Sequence, residues 1–90
     1  MSNTYRRLQA KKNGTAVWKI SDHKNNRYYS NCSNQDLVKI VSDASIADYG
    51  QCPDKNEFLK QVKMNSLLLN EGGTWFMPMF SYLDVELVKA

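Results

Sequence analysis

The fold is decided by residues 13–21, which read Asn13-Gly14-Thr15-Ala16-Val17-Trp18-Lys19-Ile20-Ser21. From Ala16 onward, every second side chain is one that a protein core accepts, and this period of two predicts a strand with one buried face. An Asn-Gly pair before such a run is a strong short-range signal for a β-hairpin. We therefore predict that residues 5–11 form a first strand that pairs with residues 16–21.

The length of the hairpin loop determines which face of these strands is apolar. A two-residue loop would place Trp18 and Ile20 on a polar face, because a one-residue change of register moves every side chain to the other side. A three-residue loop at residues 12–14 instead pairs Leu8 with Trp18, and Gly14 adopts the required left-handed conformation at little cost. The predicted buried face consists of Leu8, Ala10, Ala16, Trp18 and Ile20.

A third strand is predicted over residues 27–31, after an Asx-rich turn at residues 22–26. If Tyr28 joins the Trp18 face, basic and aromatic side chains collect on the opposite, open face. Basic groups neutralise phosphates and aromatic rings stack on bases, so this composition suits a nucleic-acid-binding sheet. An ordinary solvated sheet face is the alternative. The candidate nucleic-acid-binding residues are Tyr5, Arg7, Lys11, Lys19, Arg27 and Tyr29.

Charge is unevenly distributed along the chain. Residues 1–31 carry seven basic residues against one acidic residue, whereas residues 32–90 carry five lysines against eight acidic residues, and the net charge is +3. A basic first third on an acidic remainder predicts a face directed at an anionic partner. The same distribution is also compatible with a solvated surface.

Two helices are predicted in the middle of the chain. Ser33 and Asp36 form a capping pattern before an apolar stripe within residues 37–44, and residues 47–53 read as a loop. Asp54 and Glu57 repeat the pattern and open a second helix, which residues 70–73 end. The core-facing side of the second helix is predicted to consist of Phe58, Leu59, Val62, Ser66 and Leu69.

Residues 74–87 read as a strand, a bend at Pro78 and a second strand, since residues 83–87 alternate strictly between apolar and acidic. A short helix capped by Ser81 is the alternative. The same region contains a dense aromatic and methionine run, which is either core or an exposed patch that binds a protein partner. The candidate partner-binding residues are Trp75, Phe76, Met77, Met79 and Phe80.

Taken together, the 90 residues predict a single α+β domain over residues 1–90. We expect a mainly antiparallel sheet, made of an N-terminal three-stranded meander plus a C-terminal strand or hairpin. Two helices pack on one face of this sheet.

The sequence offers little for catalysis or metal binding. Two cysteines and one histidine are too few for a disulfide framework or a four-ligand zinc site, which favours a reduced, cytoplasmic setting. The chain opens on polar residues and contains no apolar stretch long enough to cross a membrane. Cys32 precedes a helix, but His23 sits in a turn where nothing orients it as a base. We therefore predict a non-enzymatic protein that uses no cofactor or metal and contacts no membrane.

In outline, residues 4–46 are similar to the DNA-binding domains of plant ethylene-response factors and to the arm-site-binding domains of phage tyrosine recombinases. The similarity rests on Arg6 and Arg7, on Asn13-Gly14 before Trp18, and on the helix that starts at Asn34. It implies a sheet presented to the major groove of DNA. The hypothesis that competes with nucleic-acid binding is that the protein is a small phage- or mobile-element-type inhibitor or adaptor that binds a host protein.

Overall fold

The computed structural model describes residues 16–89, which form a four-stranded antiparallel sheet and two α-helices. The predicted α+β class is therefore confirmed. Along the sheet the strands lie in the order β2-β1-β4-β3. In chain order the elements are β1 (Val17–Asp22), β2 (Arg27–Cys32), α1 (Asn34–Tyr49), α2 (Lys55–Leu68), β3 (Thr74–Trp75), a 3₁₀ turn (Pro78–Phe80) and β4 (Leu83–Lys89).

The core lies between one face of the sheet and the two helices. Trp18 and Ile20 are fully buried there, and their partners across the sheet are Leu87 and Val85. This confirms the predicted buried side of β1, and Ala16, just before the strand, is buried as well. The helices cover that face with Leu37, Val38 and Val41 from α1 and Val62 from α2.

Both helices begin where the capping patterns predict. The Ser33 hydroxyl accepts a hydrogen bond from the Asp36 amide and the Asp36 carboxylate accepts one from the Ser33 amide, which completes a capping box. At α2, the Asp54 carboxylate accepts from the amides of residues 56 and 57. Helix α1 continues to Tyr49, past the predicted start of the loop, and ends at Gly50 in the left-handed conformation.

The C-terminal region follows the predicted strand, bend and strand. Pro78 opens the 3₁₀ turn between β3 and β4, and the acidic residues of β4 point away from the core. The apolar residues of β4 at positions 83, 85 and 87 all face the core. β4 lies in the middle of the sheet, between β1 and β3.

The predicted partner of β1 is wrong. Both edges of β1 are occupied, one by β2 and the other by β4. The first strand that we predicted at residues 5–11 and its loop at 12–14 lie outside the described residues, but the edge assigned to them is taken. Consequently the pairing of β1 with β2 and β4 differs from the predicted three-stranded meander. It also differs from the pairing that the resemblance to the two families of DNA-binding domain implies. The alternating apolar side chains of β4 make it a suitable partner for the Trp18 face.

The predicted orientation of β2 is also wrong. A four-residue turn at residues 23–26 pairs Asp22 with Arg27, Ser21 with Tyr28 and Ile20 with Tyr29. Since residues paired across a sheet point to the same side, Tyr28 lies on the open face and Tyr29 on the helix-covered face. A bulge follows, with Asn31 in the left-handed conformation, and it returns Cys32 to the core.

Candidate functional site

An apolar groove opens where the segment after β3 passes over the helices, and it encloses about 300 Å³. Its walls come from both helices and from the segment itself, and none of the lining side chains is charged. The lining residues are Val41, Ser45, Pro53, Phe58, Gln61, Trp75, Phe76, Met77, Pro78, Met79 and Phe80.

Aromatic packing fixes the floor of this groove. The ring of Trp75 lies 6.1 Å from that of Trp18 and 5.7 Å from that of Phe58, measured between centroids. Trp75 therefore connects the sheet core to α2. Such tilted ring pairs stabilise beyond their buried area and define one packing arrangement.

The other end of the groove is tied to α1. The Tyr49 hydroxyl donates a hydrogen bond to the carbonyl of Met79 at 2.9 Å, and the Tyr49 ring meets Phe80 edge-on at 5.8 Å. These contacts hold the 3₁₀ turn against the end of α1. The groove is therefore formed in the free protein.

The predicted aromatic and methionine run divides into core and surface. Met77 and Phe80 are buried, and Trp75 is half-buried. By contrast, Phe76 is 69% exposed and Met79 is 61% exposed. The alternation follows from the extended backbone at Met77 and the turn at Pro78, which send neighbouring side chains to opposite sides. Part of the run is therefore core and part is exposed, and binding of a partner by the exposed residues stays a prediction.

A second apolar strip continues from the groove along α2. Met64 is 52% exposed and lines a depression with Gln61 and Trp75, two residues that also line the groove. Leu68, one helical turn after Met64, is 67% exposed. Sequence analysis missed both residues, although apolar side chains four positions apart on a polar helix face were a usable signal.

The structure does not bring the candidate nucleic-acid-binding residues onto one face. Lys19 is exposed on the open face, directly opposite Glu86 and near Asp84. Arg27 and Tyr29 line a cleft on the helix-covered face, next to Ile40 of α1. The predicted shared face is therefore wrong for these residues, because the four-residue turn reverses the orientation of β2. Tyr5, Arg7 and Lys11 lie outside the described residues.

A polar cluster ties the β1–β2 turn to α1 and β4. The Lys24 ammonium lies 2.8 Å from the Asp48 carboxylate, and the Tyr82 hydroxyl donates to the same carboxylate. The bond from Lys24, and then that from Tyr82, lowers the pKa of Asp48. Burial, and then the bond to Asp48, raises the pKa of Tyr82. His23 lies 2.6 Å from Asp84 at the surface. These groups are paired with one another, so we interpret them as structural.

The described residues give no support to a catalytic or metal centre. Cys32 is buried, and burial raises the pKa of its thiol, which disfavours the reactive thiolate. His23 lies in the turn before β2, whereas Cys32 is the last residue of that strand. No group of three or more histidine, cysteine or acidic side chains placed to hold a metal occurs in residues 16–89. Within the same range, neither helix has the length and apolar character needed to cross a membrane.

Comparisons with known proteins add nothing to this geometry. Searches against protein-family models, curated proteins and solved structures found no significant match to this chain. The site must therefore be interpreted from its own chemistry.

Proposed function

We propose that this protein is a non-enzymatic binding module that captures another protein through the apolar groove. The observation that carries the proposal is the exposure of Phe76 and Met79 beside a preformed, uncharged concavity. Contiguous exposed apolar patches are a feature of protein-interaction sites. Aromatic residues and methionine are also enriched at protein interfaces.

The electrostatics of the sheet give less support to nucleic acid. Binding to phosphates needs several cations on one surface, since each neutralised phosphate releases counterions. On the described part of the open face, Lys19 stands among Asp84 and Glu86. Nucleic-acid binding, our first prediction from the sequence, is therefore the alternative outcome of the test.

Affinity capture tests the proposal with three baits. The first is the unchanged protein, the second carries Phe76→Ser with Met79→Ser, and the third carries Lys19→Ser with Tyr28→Ser on the open face. Tyr28 is 66% exposed, so the third bait removes a comparable aromatic surface elsewhere. We expect a protein retained by the first and third baits and lost from the second, with affinity at least tenfold weaker, or about 1.4 kcal/mol.

Two controls make this experiment decisive. Thermal unfolding of all three baits should agree within a few degrees, because the substituted side chains are mostly exposed. In parallel, labelled duplex DNA, single-stranded DNA and RNA are titrated across a salt series against the protein and a Lys19→Glu/Arg27→Glu variant. Salt-sensitive binding lost in that variant, together with protein capture unaffected by the groove substitutions, would replace our proposal with nucleic-acid binding.

A further inference from the structure

The exposed apolar surface around the groove is larger than the groove itself. Phe76 and Met79 are exposed at the rim, and Met64 and Leu68 extend the surface along α2. Tyr49, which is 48% exposed, borders Met79 at the end of α1. With residue areas of roughly 200 Å² each, these five side chains expose about 600 Å². This is the upper end of what a soluble monomer leaves uncovered in one patch.

This exposed area matches the area that a stable dimer needs. A standard interface buries about 800 Å² on each partner. In homodimers about 65% of the interface is apolar, which corresponds to roughly 500 Å² on each copy. The exposed side chains around the groove therefore supply the apolar part of one homodimer interface.

The charges beside the groove do not oppose a second copy. A two-fold dimer uses the same surface on both partners, so a patch of one charge would meet its own sign. The groove lining is uncharged, and in the adjoining depression Glu57 lies 3.9 Å from Lys60. In the last turn of α1, the Asp48 carboxylate accepts a hydrogen bond from Lys24. Because each of these carboxylates lies beside an ammonium, two copies can approach without strong like-charge repulsion.

The shape of the surface suits the same arrangement. Phe76 and Met79 are exposed beside the concavity of about 300 Å³ that they help to line. In a two-fold dimer, a projection beside a cavity on one copy faces the cavity beside the same projection on the other copy. Each copy can therefore insert Phe76 into the groove of the other.

Resting on the proposed function, in which the groove is a protein-binding surface, we propose that two copies of this chain pair groove to groove as a two-fold dimer. Self-association covers Phe76 and Met79 until a partner protein displaces the second copy. The dimer thereby regulates the site. A high concentration of the free protein closes the groove, whereas dilution or a more tightly binding partner opens it.

Sedimentation velocity over a wide range of protein concentration tests this inference. We expect the unchanged protein to shift from monomer to dimer as its concentration rises. The Phe76→Ser/Met79→Ser variant should dimerise at least tenfold more weakly. The Lys19→Ser/Tyr28→Ser variant, which changes exposed side chains of the open sheet face, should dimerise like the unchanged protein.

Cys52 gives a second readout, which locates the interface. It is exposed beside Pro53 of the groove wall, whereas Cys32 is buried, so a spin label attaches selectively to Cys52. Double electron–electron resonance should give one well-defined distance between the labels of two copies. The signal should be lost in the labelled Phe76→Ser/Met79→Ser variant.

The other outcomes are equally informative. A protein that stays monomeric at every concentration would overturn the inference, while the capture experiment would still decide separately whether the groove binds another protein. A dimer that survives the Phe76→Ser/Met79→Ser change uses another surface and also overturns it. Growth beyond a dimer would contradict the two-fold arrangement, because the contact would not close on itself. A groove-dependent dimer that captures no other protein would support the inference and count against the proposed function.

Discussion

The indole of Trp18 is held in the core by one polar contact. Its Nε1 donates a hydrogen bond of 2.7 Å to the Oδ1 of Asn34, and both residues are buried. An indole N–H buried without an acceptor loses its bond to water and gains nothing in return. Asn34 therefore makes burial of the tryptophan compatible with a dry interior.

Replacing Asn34 with alanine should lower the free energy of unfolding by about 1–3 kcal/mol, the cost of a buried unsatisfied donor. Urea denaturation measures the change. In a Trp18→Phe background, which lacks the donor, the same substitution should cost less. An equal cost in both backgrounds would mean that Asn34 acts through packing or through the start of α1.

Asp48 should make stability sensitive to acid. Its pKa lies below the ordinary value of 3.8 because Lys24 and Tyr82 bond to the carboxylate. A carboxylate with a lowered folded-state pKa stabilises the protein above the unfolded-state value, and the stabilisation disappears as the pH falls through the folded-state pKa. We expect the urea concentration at the unfolding midpoint to decrease as the pH is lowered below about 4. In the Asp48→Asn variant this decrease should be less steep.

The comparison for Asp48 is an exposed carboxylate without such partners. Asp43→Asn should leave the slope of the acid limb unchanged, since no hydrogen bond or ion pair holds Asp43 among the described residues. If Asp48→Asn and Asp43→Asn give the same slope, the contacts to Lys24 and Tyr82 do not persist in solution.

Helix α1 depends on its capping box. Ser33→Ala removes the acceptor for the Asp36 amide, and the expected loss is about 1 kcal/mol of unfolding free energy. Ser33→Asp supplies another side-chain acceptor and should retain most of the stability. Chemical denaturation of both variants checks this. A Ser33→Asp variant as unstable as Ser33→Ala would show that the hydroxyl matters for another reason.

Helices could be predicted from the sequence because their signals are local. Ser33, Asp36 and Asp54 lie within four residues of the amides they cap, so reading the chain in order was sufficient. The sheet was harder because its decisive pairing joins β1 to β4 across both helices. Nothing near β1 indicated that its partner lies so far along the chain.

One turn was enough to misplace two candidate site residues. With four residues between β1 and β2, Arg27 and Tyr29 lie on the helix-covered face and not on the open face that we expected. The groove was predicted in part, since the aromatic run was identified as a candidate. Which of its members reach solvent depends on the 3₁₀ turn at Pro78, whose geometry the sequence pattern did not specify.

At the scale of the whole molecule, the apolar groove and the charged residues of the open sheet face lie on different surfaces. The uncharged groove lies on one side of the helices, while the described open face of the sheet mixes Lys19 with Asp84 and Glu86. A partner held in the groove by apolar contacts should dissociate at a rate that changes little with salt. Dissociation of the captured protein, followed at several salt concentrations, measures this rate.

The central position of β4 has a consequence for synthesis on the ribosome. β1 emerges early, but one of its two neighbours in the sheet is made only after both helices. Until β4 is made, the core on the Trp18 side of the sheet lacks the apolar residues of β4. One edge of nascent β1 is then unpaired and accessible to other chains. A ribosome-bound chain halted before Leu83 should therefore be unable to form its native core. At this stage of synthesis the chain should need chaperones most.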